Sequence, residues 1–206
     1  MSAEELEAGR DFGRYLDVDG DGIPYRTLPA THPSKGSYFT RGTTKDAYAR
    51  YSEAGPDYLY NVHRLLKKFD TAKGLVPQPV LRNARQSTPF GVIYFGSTSP
   101  SMDEAIAAMQ EDGIHLDTLR VRAFPFPDSV GQFIASHSQV FVVEQNRDAQ
   151  LRSLLVNEFG VDPARLVPVL HYDGTPITAR FIAREIGARA GAAKVTPMSK
   201  QKVTHP

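Results

Sequence analysis

Hydrophobic and polar positions change rhythm twice along this chain. Tyr58, Val62, Leu65, Leu66 and Phe69 recur at i, i+4, i+7, i+8 and i+11, one apolar stripe of a helix, with Arg64, Lys67 and Lys68 on its other faces. The stripe predicts a packing face. Up to about Gly55 the chain is instead rich in Gly, Pro, Thr and Tyr, as in "GIPYRTLPATHPSKGSYFTRGTTKDAYARY". A segment so poor in aliphatic runs cannot make a core alone and should lie over another surface. Its aromatic residues Tyr38, Phe39, Tyr48 and Tyr51 are costly to leave in water, which predicts a mobile segment unless something covers it. After the helix, "VPQPVLRNARQSTP" has three prolines and no periodicity, the texture of a linker.

From Phe90 the rhythm becomes that of alternating strands and helices. "GVIYFG" reads as a buried strand, Met102, Ala105, Ile106 and Met109 as a helical stripe, and "TLRVRAF" as a strand alternating Leu119, Val121 and Ala123 with Arg120 and Arg122. Val130, Phe133 and Ile134 predict a short helix. "QVFVVE" is the most apolar strand and is expected at the centre of the sheet, followed by a helix facing inward through Leu151, Leu154, Leu155 and Phe159. In "RLVPVLHY", Pro168 moves the last strand toward an edge. Thr175-Pro176 is the expected start of a final helix through Ile182 and Ile186. Four such units, with crossovers long enough for parallel strands, predict a three-layer αβα domain. The expected organisation is an irregular segment and connector helix over 1–76, a linker over 77–89, the α/β domain over 90–188 and a flexible basic tail over 189–206.

Composition narrows the classes of function. With 206 residues, 41% hydrophobic and 23% charged, the chain can bury one good core with a further segment beside it. No apolar run approaches the ~20 residues of a membrane span, and "MSAEELEAGR" is an acidic helical start, so no membrane contact and a cytoplasmic location are expected. The absence of cysteine rules out a disulfide, a thiolate zinc site and a cysteine-ligated iron–sulfur cluster in this chain. A net charge of +1 lacks the strongly basic face of a nucleic-acid binder.

The stretch "DVDGDGIPYR" has the opening of a calcium loop, with Asp17, Asp19 and Asp21 at alternate positions and Gly22 at the sixth. Leu28 stands where the closing carboxylate belongs, so no calcium site is expected. Gly20-Asp21-Gly22 also opens a thiamine diphosphate motif, but the first Asn, Asn61, is too far along to close it. Six histidines are scattered without ligand spacing, and no catalytic residue is identified. In a parallel sheet the crevice lies at the carboxyl ends of the strands. Two segments fall there: Ser97 and Thr98, read as an anion-binding turn or more simply as the cap of the next helix through Ser99 or Ser101, and Glu144, Gln145 and Asn146, read as a crevice or interface network or as a βα turn.

The order "RYLDVDGDGIPYRTLPATHPSKGSYFTRGTTKDAYARYSE", then "RLLKKFDTAKGLVPQP", then "VFVVEQNRDAQLRSLL" resembles the alpha subunit of 2-oxoacid:ferredoxin oxidoreductases, especially the 2-oxoglutarate type. The resemblance covers the C-terminal part of that subunit: the end of the pyrimidine-binding domain, the connector, and a domain similar to the C-terminal domain of transketolase. It implies an internal start, a split gene product or a fragment. It also implies that thiamine diphosphate, magnesium and the iron–sulfur cluster sit on a partner beta subunit, with none in this chain, and that ferredoxin and coenzyme A are met through the complex. On this resemblance Arg26, Lys35 and Arg41 are candidates to hold a dicarboxylate or coenzyme A, with surface ion pairing as the alternative. A non-catalytic interaction or acyl-carrier-binding module of the same fold is the other reading.

Overall fold

Residues 1–195 are described by the structure, a computed structural model, and the chain divides into two compact units, Met1–Val76 and a second beginning at Pro77.

In the first unit a five-residue helix, α1 (Ala3–Glu7), is closed by a capping box. The Ser2 hydroxyl accepts the Glu5 N–H at 3.2 Å and the Glu5 carboxylate accepts the Ser2 N–H at 2.7 Å. An irregular chain then leads to α2 (Gly55–Leu75), which has Pro56 in its first turn. The "DVDGDG" turn docks on this helix. Gly22 has φ of +81°, and a Cβ there would stand 2.4 Å from the Lys68 nitrogen and 2.7 Å from the Arg64 carbonyl oxygen, so only glycine fits. Thr71 Oγ1 donates to the Asp21 carbonyl at 2.5 Å, and Tyr60 Oη accepts the Asp17 N–H at 3.0 Å.

That docking inverts the face expected to be covered. Arg64, read as lying on a polar face, is only 7% exposed, whereas Leu66 and Phe69 of the apolar stripe are 64% and 50% exposed. The turn brings glycine and backbone carbonyls, and those fit against a guanidinium better than against leucine. Leu6 and Ala49 are the buried apolar side chains of this unit among the described residues, and neither hydrophobic core includes any of its residues.

The second unit is built on a five-stranded sheet of order β1-β3-β2-β4-β5. Its strands are β1 (Val80–Arg82), β2 (Phe90–Phe95), β3 (Asp117–Val121), β4 (Gln139–Glu144) and β5 (Leu166–Leu170). β1 is antiparallel to β3; the others are parallel. Helices α3 (Ser99–Glu111), α4 (Asp128–Ser136), α5 (Gln150–Phe159) and α6 (Ala179–Val195) cover both faces. Alternation along the strands sorts the core into two layers. Val92, Tyr94, Phe141 and Val143 pack with Met102, Met109, Ile182 and Ile186 of α3 and α6. Ile93, Val140 and Val142 pack on the other side with Val130, Ile134 and Leu155 of α4 and α5. Gly91 admits α4: a Cβ there would meet the Phe133 ring at 2.8 Å.

Several local expectations differ from the structure. β1 lies inside the segment read as linker; it is a three-residue exposed edge, too short to show a period. The central strand is β2, with β4 beside it, and Ala123 falls beyond the end of β3. α3 follows a 3-10 turn, Gly96–Thr98, without a side-chain cap, and Ser101 Oγ donates instead to the Ile177 carbonyl at 2.8 Å. The final helix starts four residues after Thr175, with the Thr178 hydroxyl accepting the Phe181 N–H at 3.2 Å, because Asp173 holds the Thr175 amide and hydroxyl in a turn. α6 continues to Val195, through the first residues assigned to the basic tail; residues 196–206, with Lys200 and Lys202, lie outside the described residues.

Candidate functional site

The strand order reverses between β2 and β4, since β2 leads to β3 on one side and β4 lies on the other. This switch point is where the layered α/β architecture opens a crevice. Gly96, at φ of +59°, turns the chain out of β2 there, and Glu144, Gln145 and Asn146 leave β4 beside it.

The structure brings five sequence candidates together in that region and gives them partners among themselves. Gln145 Nε2 donates to Ser97 Oγ at 3.1 Å and Thr98 Oγ1 at 3.2 Å, while its Oε1 accepts the Ile177 N–H at 3.4 Å. One amide therefore ties the turn after β2 to the entry of α6. Glu144 is fully buried, and its two oxygens accept the backbone N–H groups of Leu151 at 2.7 Å and Arg152 at 3.0 Å. Asn146 Nδ2 donates to Glu144 Oε2 at 2.8 Å, and its Oδ1 accepts the Gln150 N–H at 3.3 Å. A carboxylate satisfied by backbone donors is a helix-positioning group, so this network sets the shape of the crevice without presenting a reactive atom.

Beside it lies an apolar cavity of about 440 Å³ lined by Phe95, Val121, Phe124, Phe126, Leu151 and Leu154. It escaped the pattern reading because Phe124 and Phe126 sit in "AFPFPD", between two periodic segments.

Arg26, Lys35 and Arg41 are not gathered in one pocket. Lys35 Nζ pairs with the Glu7 carboxylate at 2.9 Å, and that bond, with a second from His32, holds Glu7 below the ordinary glutamate range. Lys35 lines a cavity of about 300 Å³ with Thr27, His32 and Tyr38, but Arg26 and Arg41 do not. The Arg41 guanidinium stacks 6.0 Å from the centroid of the Tyr51 ring.

The acidic loop spends its carboxylates on its own turns. Asp17 accepts the Asp21 N–H at 3.0 Å, Asp21 accepts the Ile23 N–H at 2.8 Å, and Asp19 accepts the Tyr25 hydroxyl at 2.5 Å. Among the described residues no three His, Cys, Asp or Glu side chains converge as metal ligands, and the chain has no thiolate for an iron–sulfur cluster. The donor set of this chain therefore does not fit that cluster.

At the opposite edge, His137 is buried between Phe133 O at 2.7 Å and Asp117 Oδ2 at 3.0 Å, and Arg165 Nη2 donates to the carbonyls of Ile134 and Ala135 at 3.1 Å. These groups close the end of α4 and the starts of β3 and β4. Pattern reading passed over them because neither lies on an apolar stripe.

No family model matches this chain. Among solved structures it is similar to 2-oxoglutarate:ferredoxin oxidoreductase from Magnetococcus marinus, a structure with 2-oxoglutarate, coenzyme A and succinyl-CoA bound. The similarity has a TM-score of 0.76 at 18% identity and covers 88% of this chain and 31% of that one, so this chain spans about a third of its length. A split-gene transketolase, an inactive beta4 tetramer, gives a TM-score of 0.46 at 13% identity over 55% of this chain and 41% of its own. The alpha chain of a probable 2-oxoacid ferredoxin oxidoreductase from Thermoplasma acidophilum gives 0.38 at 24% identity over 55% of this chain and 97% of its own. No helix among the described residues is long and apolar enough to cross a membrane. In fold, this chain has the architecture of a part of the 2-oxoglutarate:ferredoxin oxidoreductase chain.

Proposed function

We propose that this chain is the C-terminal portion of the alpha subunit of a 2-oxoacid:ferredoxin oxidoreductase, of the 2-oxoglutarate type, acting within a complex and inactive alone. The observation that supports this most is the extent of the similarity. Residues 77–206 make up less than two thirds of the chain, so a match to 88% of it reaches into the irregular first unit. A layered α/β domain recurs in many unrelated proteins. A core-poor segment preceding it is a far more particular feature to share.

On this reading thiamine diphosphate, magnesium and the iron–sulfur cluster belong to a partner beta subunit and supply decarboxylation and electron transfer to ferredoxin. This chain contributes surface and positive charge. Arg26 and Arg41, which have no ion pair among the described residues, are its proposed contacts to a dicarboxylate or coenzyme A; Lys35 joins them only on release from Glu7. Ser97, Thr98, Glu144, Gln145 and Asn146 shape the crevice edge that meets the partner.

Co-expression with a beta subunit and the remaining alpha-subunit domains, followed by coenzyme-A-dependent reduction of a dye with 2-oxoglutarate, tests the reading. Reduction that requires this chain is the expected result. A complex that is fully active without it, or a chain that never joins the complex, leaves the interaction or acyl-carrier-binding module as the better account.

A further inference from the structure

Arg14, Lys45 and Arg64 converge on one aromatic ring. Their charged groups lie 5.5, 5.3 and 5.9 Å from the centroid of Tyr15. None of the three forms an ion pair among the described residues. A single ring quadrupole attracts one cation well, but it does not offset the mutual repulsion of three.

Arg64 carries the strongest demand for a counter-charge. It is only 7% exposed, and of its five N–H groups the bonded one is on Nη1, which donates to the Gly22 carbonyl at 3.0 Å; its buried Nε has no partner. Burial pushes its pKa down, with Arg14 adding to the effect. Asp17 is close enough to act on it in the opposite sense, but that carboxylate makes no ion pair with Arg64 and accepts the Asp21 N–H. A guanidinium held this way is destabilising until an anion reaches it.

Lys45 and Arg64, but not Arg14, line a cavity of about 340 Å³ in the first unit with Tyr15, Thr43, Thr44 and Asn61. Asn61 fixes its own orientation, since Nδ2 donates to the Lys45 carbonyl at 2.6 Å and the Asp57 carbonyl at 3.1 Å. Its Oδ1 is therefore the atom left buried without a donor. The cavity thus combines two cations and two hydroxyls with the apolar surface of Val62 and Leu65; the unsatisfied Asn61 oxygen is buried in its wall, and Arg14 is near through Tyr15.

We propose that this cavity is a binding site for a phosphate group, free or carried on a small hydroxylated molecule. Phosphate supplies acceptor oxygens for Arg64, Lys45 and the threonine hydroxyls. Its own O–H, or a hydroxyl next to it in an ester, supplies the donor that Asn61 Oδ1 lacks. A carboxylate offers fewer acceptors and, ionised, no donor. None of Arg26, Lys35 and Arg41 lines this cavity, and the assignment does not rest on the function proposed above.

Calorimetric titration of the full chain with inorganic phosphate, and separately with succinate, at neutral pH and low salt tests the assignment. Saturable phosphate binding is expected, tighter than succinate. Lys45→Ala should weaken it by about tenfold, the loss of one charge-assisted contact, and Arg14→Ala by less, through the loss of a nearby positive charge. Lys35→Ala, at a different cavity, should leave it unchanged. Arg64 stays intact because it also holds the Gly22 turn, and thermal unfolding confirms that the two variants are folded. Absence of saturable phosphate binding, its survival in both variants, equal loss in Lys35→Ala, or tighter binding of succinate would each overturn the assignment.

Discussion

The Glu144 carboxylate, at the end of one strand, accepts the backbone N–H of Leu151 at 2.7 Å in the first turn of the following helix. It does so because the residue before that helix, Ala149, has no side chain able to cap it and sits in the left-handed region at φ of +50°. A buried acid from the sheet thus replaces the usual local cap.

Glu144→Ala leaves two amides of α5 without acceptors in a dry site. A loss of about 2–4 kcal/mol of stability is expected. Glu144→Gln keeps one acceptor oxygen and turns an NH₂ toward an amide N–H, so its loss should be only slightly smaller. Urea denaturation followed by circular dichroism measures both, and a loss below half a kcal/mol would refute the capping role.

Gly22→Ala places a methyl group against the α2 backbone at a positive φ. Strain and overpacking together predict a destabilisation of about 2–4 kcal/mol, confined to the first unit. In the NMR spectrum the amides of residues 15–25 and of α2 should shift, while those of β2 and β4 stay in place.

Low pH should loosen the start of the chain. The Ser2 backbone hydrogen bond, helped by Arg10, holds Glu5 below the ordinary glutamate range in the folded protein. Its contribution is therefore full above the unfolded value and is lost as pH falls through the folded one. The Ser2 and Glu5 amides should lose protection from exchange in that acid window. Ser2→Pro, which removes the donating N–H, should return the Glu5 titration toward the ordinary range; an unmoved titration would count against the capping box.

Protection against hydrogen exchange should differ sharply between the units. Residues 10–54 rest on turns and side-chain bonds, and among the described residues this unit buries few apolar side chains, while every apolar residue from Val140 to Val143 is fully buried. Mass spectrometry should find the β4 amides protected by orders of magnitude more than those of the loop. Equal protection in a monodisperse monomer would mean that the first unit needs no cover from other domains.

The sequence determined the elements whose chemistry is local. The apolar run of "QVFVVE", the alternation of Leu119 and Val121 with Arg120, and the stripes of Met102, Ala105 and Met109 or Leu151 and Leu155 produced strands and helices where the patterns placed them, because side-chain period follows directly from backbone geometry. Pro168 kept β5 at an edge for an equally local reason, the missing N–H. The likeness in fold to part of 2-oxoglutarate:ferredoxin oxidoreductase was legible too, in the order of the segments.

Tertiary structure decided what depends on contacts between distant residues. Whether Arg64 or Leu66 of α2 was covered turned on the docking of Gly22, forty-two residues before Arg64, which no helical period encodes. Gln145 became a tie because Ser97, Thr98 and Ile177 arrive beside it from separate crossovers. Lys35 was neutralised by Glu7, and the three cations around Tyr15 were gathered, by the path of an irregular chain. Periodicity reports which way a side chain points on its own element; only the folded chain sets which other atoms stand in front of it.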